Sequence, residues 1–167
     1  MINVIDRQIL TIIQQDARVS NAEIARQVGL APSAVLERIR KLEERNVIRG
    51  YATEIDPRAV DFGLTAFVSV RTDDYGCGLD KTLSAIPEVL EVHDVAGEDC
   101  YLLKVRTRNT DELGNLLREK IKPLANVVTT KTTVVLHTFK ETTELPLGTG
   151  QDDAKAKDTT GKTERKE

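Results

Sequence analysis

The sequence is poor in cysteine and aromatic residues, has no tryptophan, and carries no long apolar run. Its two cysteines, Cys77 and Cys100, are too few for a disulfide scaffold, and no Cys-x-x-Cys pair or Cys/His cluster points to a metal site. A membrane span would need about 20 consecutive apolar residues, and the longest run here is only a few. No basic-then-apolar leader is present, because Met1 runs almost at once into Asp6-Arg7. A cytoplasmic protein without membrane contact is therefore expected. Also missing are a Ser/His/Asp order, a Gly-rich phosphate loop and a His-Glu-x-x-His helix. No catalytic residue, metal or cofactor is expected. Positive charge is not in excess either: the net charge is −3, so binding to nucleic acid requires a local basic surface.

What is present divides into two small domains and a tail, within the range a chain of 167 residues allows. Residues 1–62 carry nine basic and nine acidic side chains, whereas residues 63–145 carry ten and thirteen, so the acidic excess lies in the middle. Residues 146–167 are balanced and almost without apolar side chains, and a disordered tail is expected there. We expect an α+β protein with a three-helix domain over 1–49, a linker strand over 50–63, and a domain of mixed strands and helices over 64–145.

Residues 1–49 predict three short helices. Asp6 is the expected N-cap of the first, whose apolar residues Ile5, Ile9, Ile12 and Ile13 recur at helical spacing. The second opens on Ser20-Asn-Ala-Glu23, a pattern in which each side chain can satisfy the other residue's backbone N–H. Gly29 suits the left-handed stop of that helix, and Pro32 suits the first turn of the next, where its missing N–H costs nothing. Val35, Ile39 and Leu42 then form one stripe of a third helix running to about Arg45, with Asn46 as its left-handed terminator.

Helix, short turn with Gly, helix is helix-turn-helix spacing, here over about residues 21–40. At about 100° per residue, Ser33, Glu37, Arg40 and Glu44 lie opposite the apolar stripe, with Lys41 beside them. Ser33, Arg40 and Lys41 can donate to base edges or phosphates, and Glu37 can accept from cytosine N4. Ala34 belongs to the same first turns. Arg38 lies nearer the core flank and can reach a phosphate or a structural carboxylate. Beyond the helix, Val47–Ile55 has strand-like content, in which Arg49 and Tyr51 either touch phosphate or merely connect the domains; Asp56-Pro57 ends it in a turn.

Residues 64–139 alternate in period. Leu64, Ala66, Val68 and Val70 mark one face of a strand, Asp73–Gly76 a turn, and Leu79, Leu83 and Ile86 a helix closed by Pro87. Val89–Val95 and Cys100–Thr107 flank a tight Ala96-Gly97-Glu98-Asp99 turn. Thr110–Glu112 opens a helix carrying Leu113, Leu116, Leu117 and Ile121, which Pro123 ends, and Val127–Phe139 is a long final strand. The order β-α-β-β-α-β is the ferredoxin-like unit. Its helices cover one sheet face, so dimerisation through the bare face is expected. His93 and His137, on different strands, are read as structural, and Cys77 has no adjacent cation to activate it.

In its ordered run of motifs the chain resembles the Lrp/AsnC family of transcriptional regulators. The residues that carry the resemblance are Ile5-Asp6…Ile9-Leu10, Asp16–Ser20…Glu23–Ala25…Val28–Leu30, Val35…Arg38-Ile39…Leu42-Glu43, Val47-Ile48…Gly50-Tyr51 and Val95–Val105. The resemblance implies double-stranded DNA as partner and a second domain that dimerises, assembles further into tetramers or octamers, and binds a small effector, usually an amino acid. The loop it singles out holds Val95, Gly97, Glu98, Asp99 and Cys100. By the residues themselves, Thr130 and Thr132 complete polar contacts there if assembly brings the last strand near the turn; the alternative is a plain hairpin in which Gly97 serves only geometry. This chain departs from the family at three points: Ala31 stands where a capping Ser is frequent, Asn46 where Gly is, and Cys100 where the loop usually carries Asp. A second reading stays open, because sirohaem decarboxylases resemble the same regulators and use histidines of the second domain. The basic outward face of the third helix separates the two readings.

Overall fold

The computed structural model describes residues 2–73 and 78–148. The described residues form two compact units: one spans residues 2–53 and takes in residues 142–148, the other is Glu54–Glu141. In the first, three helices are built as their spacing predicts: α1 (Val4–Gln15), α2 (Asn21–Val28) and α3 (Pro32–Glu44). Ile9, Ile24, Ala25, Val35 and Ile39 form their common core. Each buried isoleucine or valine among them contributes about 1.5–3 kcal/mol. Gly29 ends α2 at φ +70°, and Asn46 turns left-handed after α3 at φ +54°.

Two caps differ from expectation. The N-cap of α1 is Asn3, and Asp6 is its reciprocal partner three residues on: Asp6 N–H donates to Asn3 Oδ1 at 2.8 Å and Asn3 N–H to Asp6 Oδ2 at 3.2 Å. At α2 half of the expected box forms. Ser20 Oγ accepts from Glu23 N–H at 3.2 Å, but the Glu23 carboxylate turns to Arg26 and Gln27 at 2.5–2.9 Å. Arg26, and then Gln27, hold that carboxyl down at about 2. A charge-assisted bond to guanidinium outcompetes a neutral backbone N–H.

The linker is not a strand. Residues 49–56 form no ladder, since an extended segment without a partner strand has nothing to pair with. Asp56 Oδ1 caps a short 3₁₀ turn, Pro57–Val60, through Arg58 N–H at 2.9 Å.

The second unit has β1 (Leu64–Thr72), α4 (Leu79–Ser84), β2 (Val89–Asp94), β3 (Tyr101–Thr107), α5 (Thr110–Asn115, widening into a π-helical turn Leu116–Ile121) and β4 (Val127–Val134). The sheet order is β2-β3-β1-β4, every pair antiparallel, which is the ferredoxin-like arrangement. Ala66, Val68, Val70, Leu103 and Val105 pack with Leu79, Leu83, Leu113, Leu116 and Ile121 in one core. The final strand ends at Val134, short of the expected Phe139. Val135 N–H still donates to Thr65 O at 2.9 Å, but Leu136 and Phe139 are left 95% and 93% exposed.

The sheet face away from the helices carries a cluster of ion pairs beside Phe67 and Leu102. Lys104 bonds Glu91 at 2.9 Å and also Glu141, while Arg106 bonds Glu141 at 2.6 Å. Burial pulls the Lys104 ammonium down, but the carboxylates of Glu141 and Glu91 outweigh it and its pKa is raised. Residues from 149 onward, the larger part of the expected disordered tail, and Cys77 lie outside the described residues. Residues 142–148 pack with the first unit.

Candidate functional site

The turn between α2 and α3 is set by backbone geometry rather than by a cap. Ala31 offers no side-chain bond, and Pro32 occupies the first turn with φ already fixed. The Ala31 carbonyl accepts from Ala34 and Val35 N–H at 3.0 and 3.1 Å. Val35, Ile39 and Leu42 are buried. Ser33, Glu37, Arg40, Lys41 and Glu44 consequently stand exposed on the outer side, and Ala34 is half-buried.

The cations on this face carry intrahelical partners. Arg40 Nε meets Glu44 at 3.0 Å, and Lys41 Nζ meets Glu37 at 3.3 Å, all four side chains more than half exposed. Exposed pairs at this spacing are worth only about 0.3–0.5 kcal/mol, so both cations can exchange a carboxylate for a phosphate at little cost. Arg45 and Arg49 are exposed and make no ion pair among the described residues. Arg38 is different: its Nη1 bonds Asp6 Oδ1 at 2.7 Å, and the carboxylate side chain is only 10% exposed. Of the two partners open to Arg38, the structure supplies the structural carboxylate. Tyr51 lies against α3, its hydroxyl donating to Glu43 at 2.9 Å. Burial, and then that carboxylate, push the phenol up to about 12.

The loop between β2 and β3 is held at both ends. Val95 N–H donates to Cys100 O at 3.1 Å, and Cys100 N–H to Val70 O at 2.9 Å. Thr72 Oγ1 donates to Cys100 Sγ at 3.0 Å, so the thiol faces a hydroxyl where the family's loop usually carries an acid. Gly97 adopts φ +147°, a conformation almost confined to glycine. The carboxylates of Glu98 and Asp99 have no ion-pair partner among the described residues. Thr130 and Thr132 oppose Val70 and Val68 on β1. They are thus two strand spacings, about 10 Å, from β3 and its loop. One chain does not bring the two groups together.

His93 rests against Glu91 at 3.1 Å and His137 against the Phe139 ring at 4.6 Å. No group of three or more potential metal ligands occurs among the described residues, and no helix among them is long and apolar enough to cross a membrane. The sequence reading missed Asp6 as the anchor of Arg38. The only hint was an acidic residue beside the apolar stripe of the first helix.

Comparison with known proteins agrees with both units. Residues 2–49 match the family model of a winged helix-turn-helix DNA-binding domain, and residues 65–145 that of an Lrp/AsnC ligand binding domain. The chain is 40% identical over 145 residues to the HTH-type transcriptional regulator FL11 of Pyrococcus horikoshii, covering 86% of this chain and 95% of that protein. It is 35% identical over 149 residues to the leucine-responsive regulatory protein of Escherichia coli, covering 87% and 91%. Among solved structures it is similar to a transcriptional regulator of Neisseria meningitidis in complex with L-Met (TM-score 0.83, 29% identity, 88% of this chain and 97% of that one). It is also similar to a feast or famine regulatory protein of M. tuberculosis complexed with L-methionine (TM-score 0.81, 36% identity, 87% and 99%). A helix-turn-helix unit joined to a ligand-binding ferredoxin-like unit defines a class of transcriptional regulator. The chain belongs to the Lrp/AsnC family of that class. Nothing in these likenesses supports the decarboxylase alternative.

Proposed function

We propose that this regulator binds DNA as a dimer or higher assembly, placing α3 in the major groove, and that an amino acid taken up at the 95–100 loop biases its assembly. The observation that carries the reading is the outer face of α3, where Arg40 and Lys41 stand in weak, exchangeable pairs beside the donor Ser33. One such helix contacts only a few base pairs, so useful affinity needs two, about 34 Å apart on a near-palindromic site. Arg38 then acts through Asp6 in holding the helix, and Glu37 and Ala34 border the contact surface. The direct test is band-shift against the DNA upstream of the protein's own gene, with and without a panel of amino acids. Absence of any specific shift would overturn the DNA assignment.

Lys41→Ala is expected to weaken binding to all sequences and to lower the salt-dependence slope by about 1, as loss of one phosphate contact does. Ser33→Ala and Arg40→Ala are expected to change sequence preference instead. Titrations at several salt concentrations on operator and scrambled DNA separate the two effects. Three variants indistinguishable from wild type would remove α3 from the groove.

Assembly follows from the effector geometry. The unpaired carboxylates of Glu98 and Asp99 are the local partners for an effector's ammonium, and the exposed turn at Gly97 lets a carboxylate approach backbone N–H groups. Thr130 and Thr132 are too far away within one chain, so a neighbouring copy has to supply them. Residues 54–141 alone are expected to sediment as a dimer through the sheet face carrying Phe67 and Leu102. A monomeric fragment would refute this.

A further inference from the structure

The chain contains five glutamines, and four of them, Gln8, Gln14, Gln15 and Gln27, line a single cleft of about 830 Å³ in the first unit. Its walls are α1, the end of α2 and residues 144–148. A carboxamide both donates and accepts, the same pair of groups a peptide unit presents. Gln14 uses both at once: Nε2 donates to the Leu145 carbonyl at 3.1 Å, and Oε1 accepts the Leu145 N–H at 2.9 Å. The clamp reads backbone, since Leu145 itself stays 65% exposed. Gln27 is engaged with Glu23 at 2.8 Å, whereas the side chains of Gln8 and Gln15 make no hydrogen bond among the described residues. No residue of α3 lines the cleft, so a segment seated there leaves the proposed DNA-facing side chains uncovered.

The seated segment lies 131 positions from Gln14 in sequence. The chain completes the second unit at Glu141, which Lys104 and Arg106 hold, and from Thr142 it belongs to the first. The geometry points to a built-in strap: the glutamine-bearing side of α1 is a dock for peptide backbone, its ligand is this chain's own residues 142–148, and the docked segment forms one wall of the cleft. The strap gives the helix-turn-helix unit a second chain connection to the ligand-binding unit, beside the one from Thr53 to Glu54. Restraining the first unit in this way favours operator binding, a consequence that rests on the DNA-binding reading above.

Amide exchange in the full-length protein tests the dock without any DNA. The Leu145 N–H is expected to exchange at least about tenfold more slowly than in an unstructured peptide, as two net hydrogen bonds imply. Gln14→Ala should restore the unprotected rate while the protected amides of α1 and α2 remain protected. A Leu145 amide that already exchanges at the unprotected rate in the wild type overturns the proposal. A photo-crosslinker at position 14 should join residues 142–148 of the same chain; a link formed across two copies overturns the own-chain assignment. Once an operator is in hand, Gln14→Ala and deletion of 142–167 should each weaken binding about fivefold, whereas deletion of 149–167 should not. Equal affinity in all three, with the Leu145 protection intact, would remove the strap's role in DNA binding and leave the dock.

Discussion

Replacing Asp6 with alanine is expected to destabilise the helix-turn-helix unit by about 2–3 kcal/mol, although Asp6 touches none of the residues proposed to meet DNA. Two losses combine. The Asn3 N–H loses its acceptor, Asp6 Oδ2, at a cost of about 0.5–1.5 kcal/mol, while the backbone N–H of position 6 still donates to Asn3 Oδ1. Arg38 also loses its carboxylate, 2.7 Å away and 10% exposed. Removing one member of a buried pair costs about 3–5 kcal/mol, but the Arg38 side chain is 32% exposed and water recovers part of that. For a unit of this size, a loss of 2–3 kcal/mol lowers the melting temperature by about 10 °C or more. Circular dichroism melts, with the second unit as internal reference, measure it. The double variant Asp6→Ala/Arg38→Met should recover much of the loss, since an apolar replacement leaves no unpaired charge. A single variant melting within a degree or two of wild type would show that the pair does not hold α3. DNA affinity of Arg38→Met at low temperature then decides whether that arginine has a further role in phosphate contact.

This pair shows where the sequence stopped being informative. Local signals carried the helices: the Val35/Ile39/Leu42 stripe, the left-handed stop at Gly29 and the proline at the start of α3 each specify a conformation within a few residues. The alternation through Leu64–Val70 likewise announced which side of β1 would be buried. Partners distant in the chain were not legible. Arg38 had two plausible destinations by spacing alone, and the choice depended on α1 packing 32 residues upstream. The Val127–Phe139 run continued in composition past the point where β1 stops offering a ladder, so β4 ends at Val134. Competition between partners hid the half-formed cap at Glu23: the motif was right, and Arg26 was one helical turn away. The strap is the extreme case, because a glutamine on a helix carries no sign that it will clamp a backbone 131 residues downstream. On the effector side, Cys100 marked the loop as unusual, but the distance separating it from Thr130 follows from strand order, which no local pattern encodes.

Gly97→Val is expected to abolish the response to an amino acid while leaving basal DNA binding intact. No heavy atom beyond its chain neighbours would meet a Cβ placed at Gly97, so the effect does not arise from crowding. It arises from the backbone: φ is +147°, and a β-branched residue held in such a region costs about 1–3 kcal/mol. Among the described residues the loop's backbone is anchored at its ends, by Val95 to Cys100 and Cys100 to Val70, so it relieves that strain by rearranging between them. Rearrangement re-aims the N–H groups of Gly97 and Glu98 and moves the carboxylates of Glu98 and Asp99, which are the proposed ligand groups. The β-ladders, α3 and the Asp6–Arg38 anchor are untouched, so operator affinity without effector should stay within about twofold, since surface changes of this kind are usually within about 0.5 kcal/mol. An effector can shift assembly only by binding one state better than another; with the loop displaced, that difference vanishes. Calorimetry across the twenty amino acids on wild type identifies the ligand, and the same titration on Gly97→Val should give no saturable heat. Retained binding in the variant would move the effector site away from this loop. If no amino acid gives saturable heat even with wild type, the loop does not serve an amino acid, and Cys100 in place of an acid is the first residue to revert, by Cys100→Asp, in search of one.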